Sequence, residues 1–170
     1  MSYIFDIVKI PSAHATNLEL LQHCRNIYKT VILSTGMCTE EEVNDAIEYA
    51  NPDIIMHTNS SYPTPTDELN LGYIQWLKDL YGVKREIGYS CHHYGIRMAL
   101  TTLGMGITWI EKHVTIDRTL WGSDQIASIE PEGLFQLVKC VRNFEVASNG
   151  YGRRIITKSE LPKRKSLMGK

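Results

Sequence analysis

Two histidines stand where paired imidazoles could do chemistry. His92 closes the run Ile87-Gly88-Tyr89-Ser90-Cys91, and His113 closes Trp109-Ile110-Glu111-Lys112. Side chains of an extended segment alternate between its two faces. Ser90 and His92 therefore share a face, as do Trp109, Glu111 and His113. If the two segments are neighbours, the imidazoles converge at one level. With carboxylate, water and substrate oxygens around them they suit a divalent ion of the Mn²⁺ kind, whereas a closed zinc site needs four ligands. The same spacing also fits two ordinary strand-end histidines that simply hydrogen-bond. Hydroxyls and an ammonium recur at comparable points, in Lys9 and Ser12, Ser34-Thr35-Gly36 and His57-Thr58-Asn59-Ser60. Such donors can hold phosphate or carboxylate, although Ser, Thr and Gly also gather where chains turn. By parity Lys112 points away from Glu111 and His113, and His93 away from His92. Tyr62, Trp109 and Trp121 are large enough to line a pocket or to fill core.

Positioning these groups requires strands that end at one rim. Short apolar runs at Phe5–Ile10, Val31–Leu33, Asp53–Met56, Ile87–Ser90 and Ile107–Val114 are each followed by a stripe at helical spacing. The first stripe is Leu20, Leu21, Cys24, Ile27 and Tyr28; the second is Val43, Ala46, Ile47 and Ala50. Then come Leu69, Tyr73, Trp76, Leu77 and Leu80, followed by Ile96, Ala99, Leu100 and Leu103, and finally Leu134, Leu137, Val138 and Val141. Thr16-x-x-Glu19 and Thr39-x-x-Glu42 read as capping boxes, and Pro131 suits a first helical turn. Successive β–α units predict a parallel sheet, because antiparallel hairpins need no helical crossover. In such sheets polar residues at the carboxyl ends of strands form the site. An open doubly wound sheet and part of a (β/α)₈ barrel both fit the order. A closed barrel takes about 250 residues and eight units, more than these 170 residues supply.

Composition removes several classes of function. With 43% hydrophobic and 22% charged residues and a net charge of −1, the chain is globular rather than disordered. It lacks the clustered positive charge that binds nucleic acid or an anionic membrane. Arg153, Arg154, Lys158, Lys163, Arg164, Lys165 and Lys170, interspersed with Leu161 and Leu167, read as a solvated tail. No apolar run approaches the ~20 residues of a spanning helix, and Met1 to Asp6 lack the features of a secretory leader. The scattered Cys24, Cys38, Cys91 and Cys140 read as reduced thiols, so a cytoplasmic location is expected.

The motifs, taken in order, are Lys9-Ile10-Pro11-Ser12, Ile32-Leu33-Ser34-Thr35-Gly36-Met37 and Tyr62-Pro63-Thr64-Pro65. Gly88-Tyr89-Ser90-x-His92 and Ile110-Glu111-Lys112-His113-Val114-Thr115-Ile116-Asp117-Arg118 follow, then Gly122-Ser123-Asp124-Gln125 and Ser128-Ile129-Glu130-Pro131. From about Phe5 to Ser148 the chain resembles the sialic acid synthase family, which comprises N-acetylneuraminate synthase and its legionaminate and pseudaminate relatives. The resemblance implies a partial (β/α)₈ TIM barrel: about five β–α units over residues 1–150, matching the family's strands 4 to 8. A basic tail over 151–170 would follow, with no antifreeze-like domain. It implies condensation of phosphoenolpyruvate with an N-acylated hexose such as N-acetylmannosamine, giving a nine-carbon 2-keto-3-deoxy sugar acid and phosphate. His92 and His113 would hold a divalent metal, Mn²⁺ first, with Mg²⁺ or Co²⁺ as alternatives. Lys9, Ser12, Ser34 and Ser90 would bind phosphoenolpyruvate; Ser60, Tyr62 and Asp124 would contact the sugar. Glu111 would orient a ligand or relay a proton. Cys91 stands where an Asp is common before the metal histidine, and His14 where many relatives have a Glu. The remaining strands would come from an N-terminal half-barrel polypeptide or from a second copy. The alternative is a non-catalytic remnant, or a regulatory or binding subunit of such an enzyme.

Overall fold

The computed structural model describes residues 5–150 and 152–168. Strands β1 (Ile7–Ile10), β2 (Thr30–Ser34), β3 (Ile54–His57), β4 (Glu86–Cys91) and β5 (Trp109–Lys112) form one sheet in sequential order, every pair parallel. Helices α1 (Leu18–Ile27), α2 (Glu40–Ala50), α3 (Gly72–Tyr81), α4 (Arg97–Thr101) and α5 (Pro131–Ser148) follow the strands in turn, and α6 (Glu160–Leu167) ends the described chain. Among the described residues no helix is long and apolar enough to cross a membrane.

The strand registers divide the sheet into two unlike faces. Ile10, Leu33, Ile55 and Ile87 stand opposite one another. They pack with Leu21, Val43, Ala46, Ile74, Leu77 and Ala99 into the core between sheet and helices. Burying each large aliphatic side chain contributes about 1.5–3 kcal/mol. The other face carries Lys9, Ser34, Met56, Gly88, Trp109, Ser90 and Glu111 at matched registers. This face is concave. The Lys9 ammonium of β1 lies 3.0 Å from the Glu111 carboxylate of β5, a contact the outermost strands reach only because the sheet curls into a half-barrel. Curling also crowds the inner face: a Cβ on Gly88 would fall 2.8 Å from Trp109 Cβ.

Local chemistry accounts for the helix ends. Thr39 and Glu42 form the expected capping box at α2, and Glu40, Glu41 and Glu42 favour the positive end of its dipole. At α1 the cap is Asn17, whose side chain accepts the Leu20 N–H at 3.1 Å. The box expected at Thr16 is displaced by a residue that caps equally well. Pro131 opens α5 as expected. In α3 the buried positions are Ile74 and Leu77, while Leu80 is 56% exposed; the stripe drawn through Leu69 started in the turn before the helix. The stripe on α5 buries Leu137 but leaves Leu134 and Val138 largely open, facing a groove of about 450 Å³ beside β5. Glu160–Leu167 is helical where a plain tail was expected, though its apolar Leu161 and Leu167 remain exposed.

Candidate active site

The polar rim expected at the strand ends is present, and the two imidazoles meet there. His92 follows the last residue of β4 and is 5% exposed. Its Nδ1 lies 2.6 Å from the Asn59 carbonyl oxygen and 3.3 Å from Thr58 Oγ1. A carbonyl only accepts, so Nδ1 carries the proton and Nε2 keeps its lone pair. Burial pushes the His92 pKa below its ordinary value, with His113 and Lys9 adding to the effect; the Asn59 hydrogen bond opposes it in part. The ring is therefore neutral at pH 7. The His113 ring lies 5.2 Å away, centroid to centroid, at 72°. Its Nδ1 stands 3.8 Å from Asp124, and its carbonyl accepts the Ile129 N–H at 2.9 Å. Tyr62 stacks on His92 at 4.1 Å and meets the His113 ring edge-on at 5.4 Å.

Below the imidazoles sit a charge pair and several hydroxyls. Burial alone would raise the Glu111 pKa, but Ser90, Lys9 and His113 outweigh it and hold the carboxyl below the usual range. Its Oε2 is otherwise without a hydrogen-bond partner among the described residues, so the Lys9 contact is a charge pair rather than an aligned hydrogen bond. Ser34 is 1% exposed and its hydroxyl likewise has no partner among the described residues. An unsatisfied buried polar group costs about 1–3 kcal/mol, a penalty that an arriving ligand would remove. Ser12 Oγ accepts the Gly36 N–H at 2.9 Å. A Cβ at Gly36 would come 2.8 Å from Thr58 Cγ2 and 2.9 Å from Ser12 Oγ, with Ser60 closing the same hollow. Glycine keeps that hollow open.

Lys9, Ser12, Ser34, Ser60, Tyr62, Ser90, His92, Glu111, His113 and Asp124 thus all lie at the carboxyl ends of the strands or in the loops above them. Trp121 is 99% exposed, lining neither pocket nor core. Trp109 is on the inner face but lower, its indole N–H donating to Glu86 at 2.6 Å. His93 is turned aside, its Nε2 3.0 Å from Thr66 Oγ1. Cys91 is buried on the helix side of the sheet, so its thiol does not line the site. Two contributors escaped sequence reasoning: the Asn59 carbonyl that sets the His92 tautomer, and Lys112. The Lys112 side chain leaves from the outer face as parity requires, yet its ammonium turns under the end of β4 to reach the Cys91 carbonyl at 3.2 Å. No signal in residue type reports either contact.

Among the described residues no group of three His, Cys, Asp or Glu is arranged to hold a metal. A cavity of about 660 Å³ opens to one side over β2 and β3, lined by Cys38, His57, Asn59, Glu68 and Tyr73 among others. His57 there is buried, and its Nε2–H donates to the Leu69 carbonyl at 2.9 Å. Burial pushes its pKa down despite that bond. The unfolded chain consequently binds the proton more readily, so His57 contributes stability that is intact above about pH 6.5 and is lost as pH falls below it. Urea midpoints are expected to drop between about pH 7.5 and about pH 5.5, with a shallower drop in His57→Gln; an unchanged slope in the variant would contradict this.

Comparison with known proteins adds lineage to this geometry. The model of the NeuB family matches residues 1–153. The chain is 37% identical over 164 residues to the N,N'-diacetyllegionaminic acid synthase of Legionella pneumophila, covering 91% of this chain and 45% of that protein. It is also 37% identical over 175 residues to the enzyme of the same name from Campylobacter jejuni, covering 96% of this chain and 52% of that protein. It superimposes on the crystal structure of N-acetylneuraminic acid (sialic acid) synthetase from Leptospira borgpetersenii, solved in complex with citrate. The TM-score is 0.81 at 36% identity, covering 98% of this chain and 60% of that one. The chain spans about half the length of the curated relatives it matches.

Proposed function

The chain belongs to the NeuB family of sialic acid synthase-type proteins, and from that premise we propose that it carries the metal- and anion-binding half of a barrel that condenses phosphoenolpyruvate with an N-acylated hexose such as N-acetylmannosamine. The observation that carries this reading is the convergence of His92 and His113, 5.2 Å apart, above the Lys9–Glu111 pair. The Asn59 hydrogen bond leaves the His92 Nε2 lone pair unprotonated, met only by the Ser90 hydroxyl at 3.4 Å, which fits a metal ligand whose other nitrogen is fixed by a second partner. Two nitrogens with oxygen ligands completing the set suit Mn²⁺, and Mg²⁺ or Co²⁺ after it. When bound, such an ion supplies Lewis-acid polarisation of the sugar aldehyde.

The remaining chemistry falls to side chains. Lys9, Ser12, Ser34 and Ser90 offset the negative charge of phosphoenolpyruvate and fix its methylene carbon toward the aldehyde carbon. That carbon–carbon bond forms as the enol electron pair attacks, and the aldehyde π pair moves to its oxygen, which takes a proton to become a hydroxyl. Water then adds to the carbon bearing phosphate, and the carbon–oxygen bond to phosphate breaks, leaving the 2-keto acid and inorganic phosphate. Glu111, ionised at neutral pH, orients His113 or relays the proton of the incoming water. Ser60, Tyr62 and Asp124 meet the sugar.

Among the described residues β1 and β5 are the outermost strands of the sheet, with only the chain just past β5 paired further, Val114 to Ile129; such open edges associate with other strands unless covered. The chain covers about half of the relatives it matches, and strands equivalent to their remaining part complete the barrel in this reading. The same open edges favour a second reading, a non-catalytic binding or regulatory subunit. The test is phosphate release from phosphoenolpyruvate, N-acetylmannosamine and Mn²⁺, with the chain alone and with the separately expressed N-terminal half of a relative. Release in the mixture is expected. Its absence from every combination, with the chain folded, would leave only the second reading.

A further inference from the structure

We propose that Lys112 is a positioning residue for the imidazole pair, an ammonium clip that fixes the backbone on both sides of His92; this rests on His92 and His113 forming one site. In register Lys112 stands opposite Cys91, where both strands end. His92 is therefore the first residue of its segment beyond the ladder, and sheet hydrogen bonds no longer hold it. Three consecutive carbonyls cover that gap. The Lys112 ammonium donates to Cys91 O at 3.2 Å and to His93 O, and the Thr64 N–H donates to His92 O at 3.1 Å. The ammonium thus holds residues 91 and 93, and Thr64 holds residue 92 between them. With Nδ1–H given to the Asn59 carbonyl, both the backbone and the ring of His92 are fixed.

An ordinary surface lysine extends its charged head into water. Here the head is turned back beneath a strand end, and among the described residues no carboxylate pairs with it. Desolvating an ammonium is unfavourable unless its donors are used, and burial pushes the Lys112 pKa down accordingly. Lys112 also directly precedes His113. One side chain thus ties the two histidine-bearing strand ends together, and its displacement would move both rings.

The experiment compares the full chain with Lys112→Met, which keeps the aliphatic length, and Lys112→Arg, which keeps the cation and its donors. The metal-free proteins, labelled with ¹⁵N-histidine, report the His92 tautomer and the amide exchange of residues 91–93; Mn²⁺ alone is then titrated by electron paramagnetic resonance. In Lys112→Met, exchange at those amides is expected to quicken at least about tenfold, the His92 ring to populate both tautomers, and Mn²⁺ affinity to fall about 10–100-fold. Lys112→Arg is expected to recover part of each. Should the wild-type chain take up no Mn²⁺ while Lys112→Met still frees the ring, the metal reading falls and the clip stands. A Met variant with an unchanged tautomer and unchanged protection at residues 91–93 overturns the clip. So does loss of protection spread evenly through the sheet without rescue by Arg.

Discussion

Replacing His92 or His113 with alanine is expected to abolish Mn²⁺ uptake and to lower turnover in the complemented barrel by about 10³-fold, since a Lewis-acid ion is worth several kcal/mol in the transition state. The two variants share this functional effect but differ in stability. His92 is buried, donates to Asn59 and stacks beneath Tyr62; its loss opens a hollow and strands a carbonyl, at about 1–3 kcal/mol. His113 is one-third exposed and contacts Asp124 only loosely, so its alanine variant should unfold near the wild-type midpoint. Calorimetric Mn²⁺ titration and urea unfolding, run on both, separate the effects. Either variant binding Mn²⁺ as the wild type does would remove the metal assignment.

Lys9→Met is expected to weaken phosphoenolpyruvate binding by about 10–150-fold, because a hydrogen bond to a charged group contributes about 1.5–3 kcal/mol. Lys9 also neutralises Glu111 from the opposite edge of the sheet, so its removal lets the Glu111 carboxyl rise from its lowered pKa. Adding Glu111→Gln to Lys9→Met removes the stranded charge. The double variant should regain part of the lost stability, roughly 1 kcal/mol for a pair whose side chains are about one-third exposed, without regaining ligand affinity. Affinity restored by Glu111→Gln would mean that Lys9 serves only to balance Glu111 and does not meet the anion.

Much of this arrangement was legible before any coordinates. Strand alternation placed Ser90 with His92 and Glu111 with His113, and the register pairing Ser90 with Glu111 puts both sets on one face. Apolar runs marked the strands because a parallel sheet packs one whole face against helices, and residues such as Ile55 and Leu33 must be apolar to do so. What stayed hidden depends on partners that residue type does not specify. The Asn59 carbonyl orients His92 through main chain, which carries no identity. Parity turned Lys112 outward correctly, but a four-carbon side chain reaches far enough to return beneath the strand end. Thr16 and Asn17 are both good caps, so a one-residue shift at α1 could not be decided by propensity. Periodicity on α5 showed that Leu134 and Val138 form an apolar face without showing what covers it. Trp121 was placed by its size alone, and size does not fix exposure.

The most direct measurement is anomalous diffraction at the manganese edge from crystals grown with Mn²⁺. One peak on the concave face, bonded to Nε2 of His92 and to the His113 ring, is the expected result. Density showing both imidazoles held only by protein hydrogen bonds, with Mn²⁺ absent or bound elsewhere, would contradict the account.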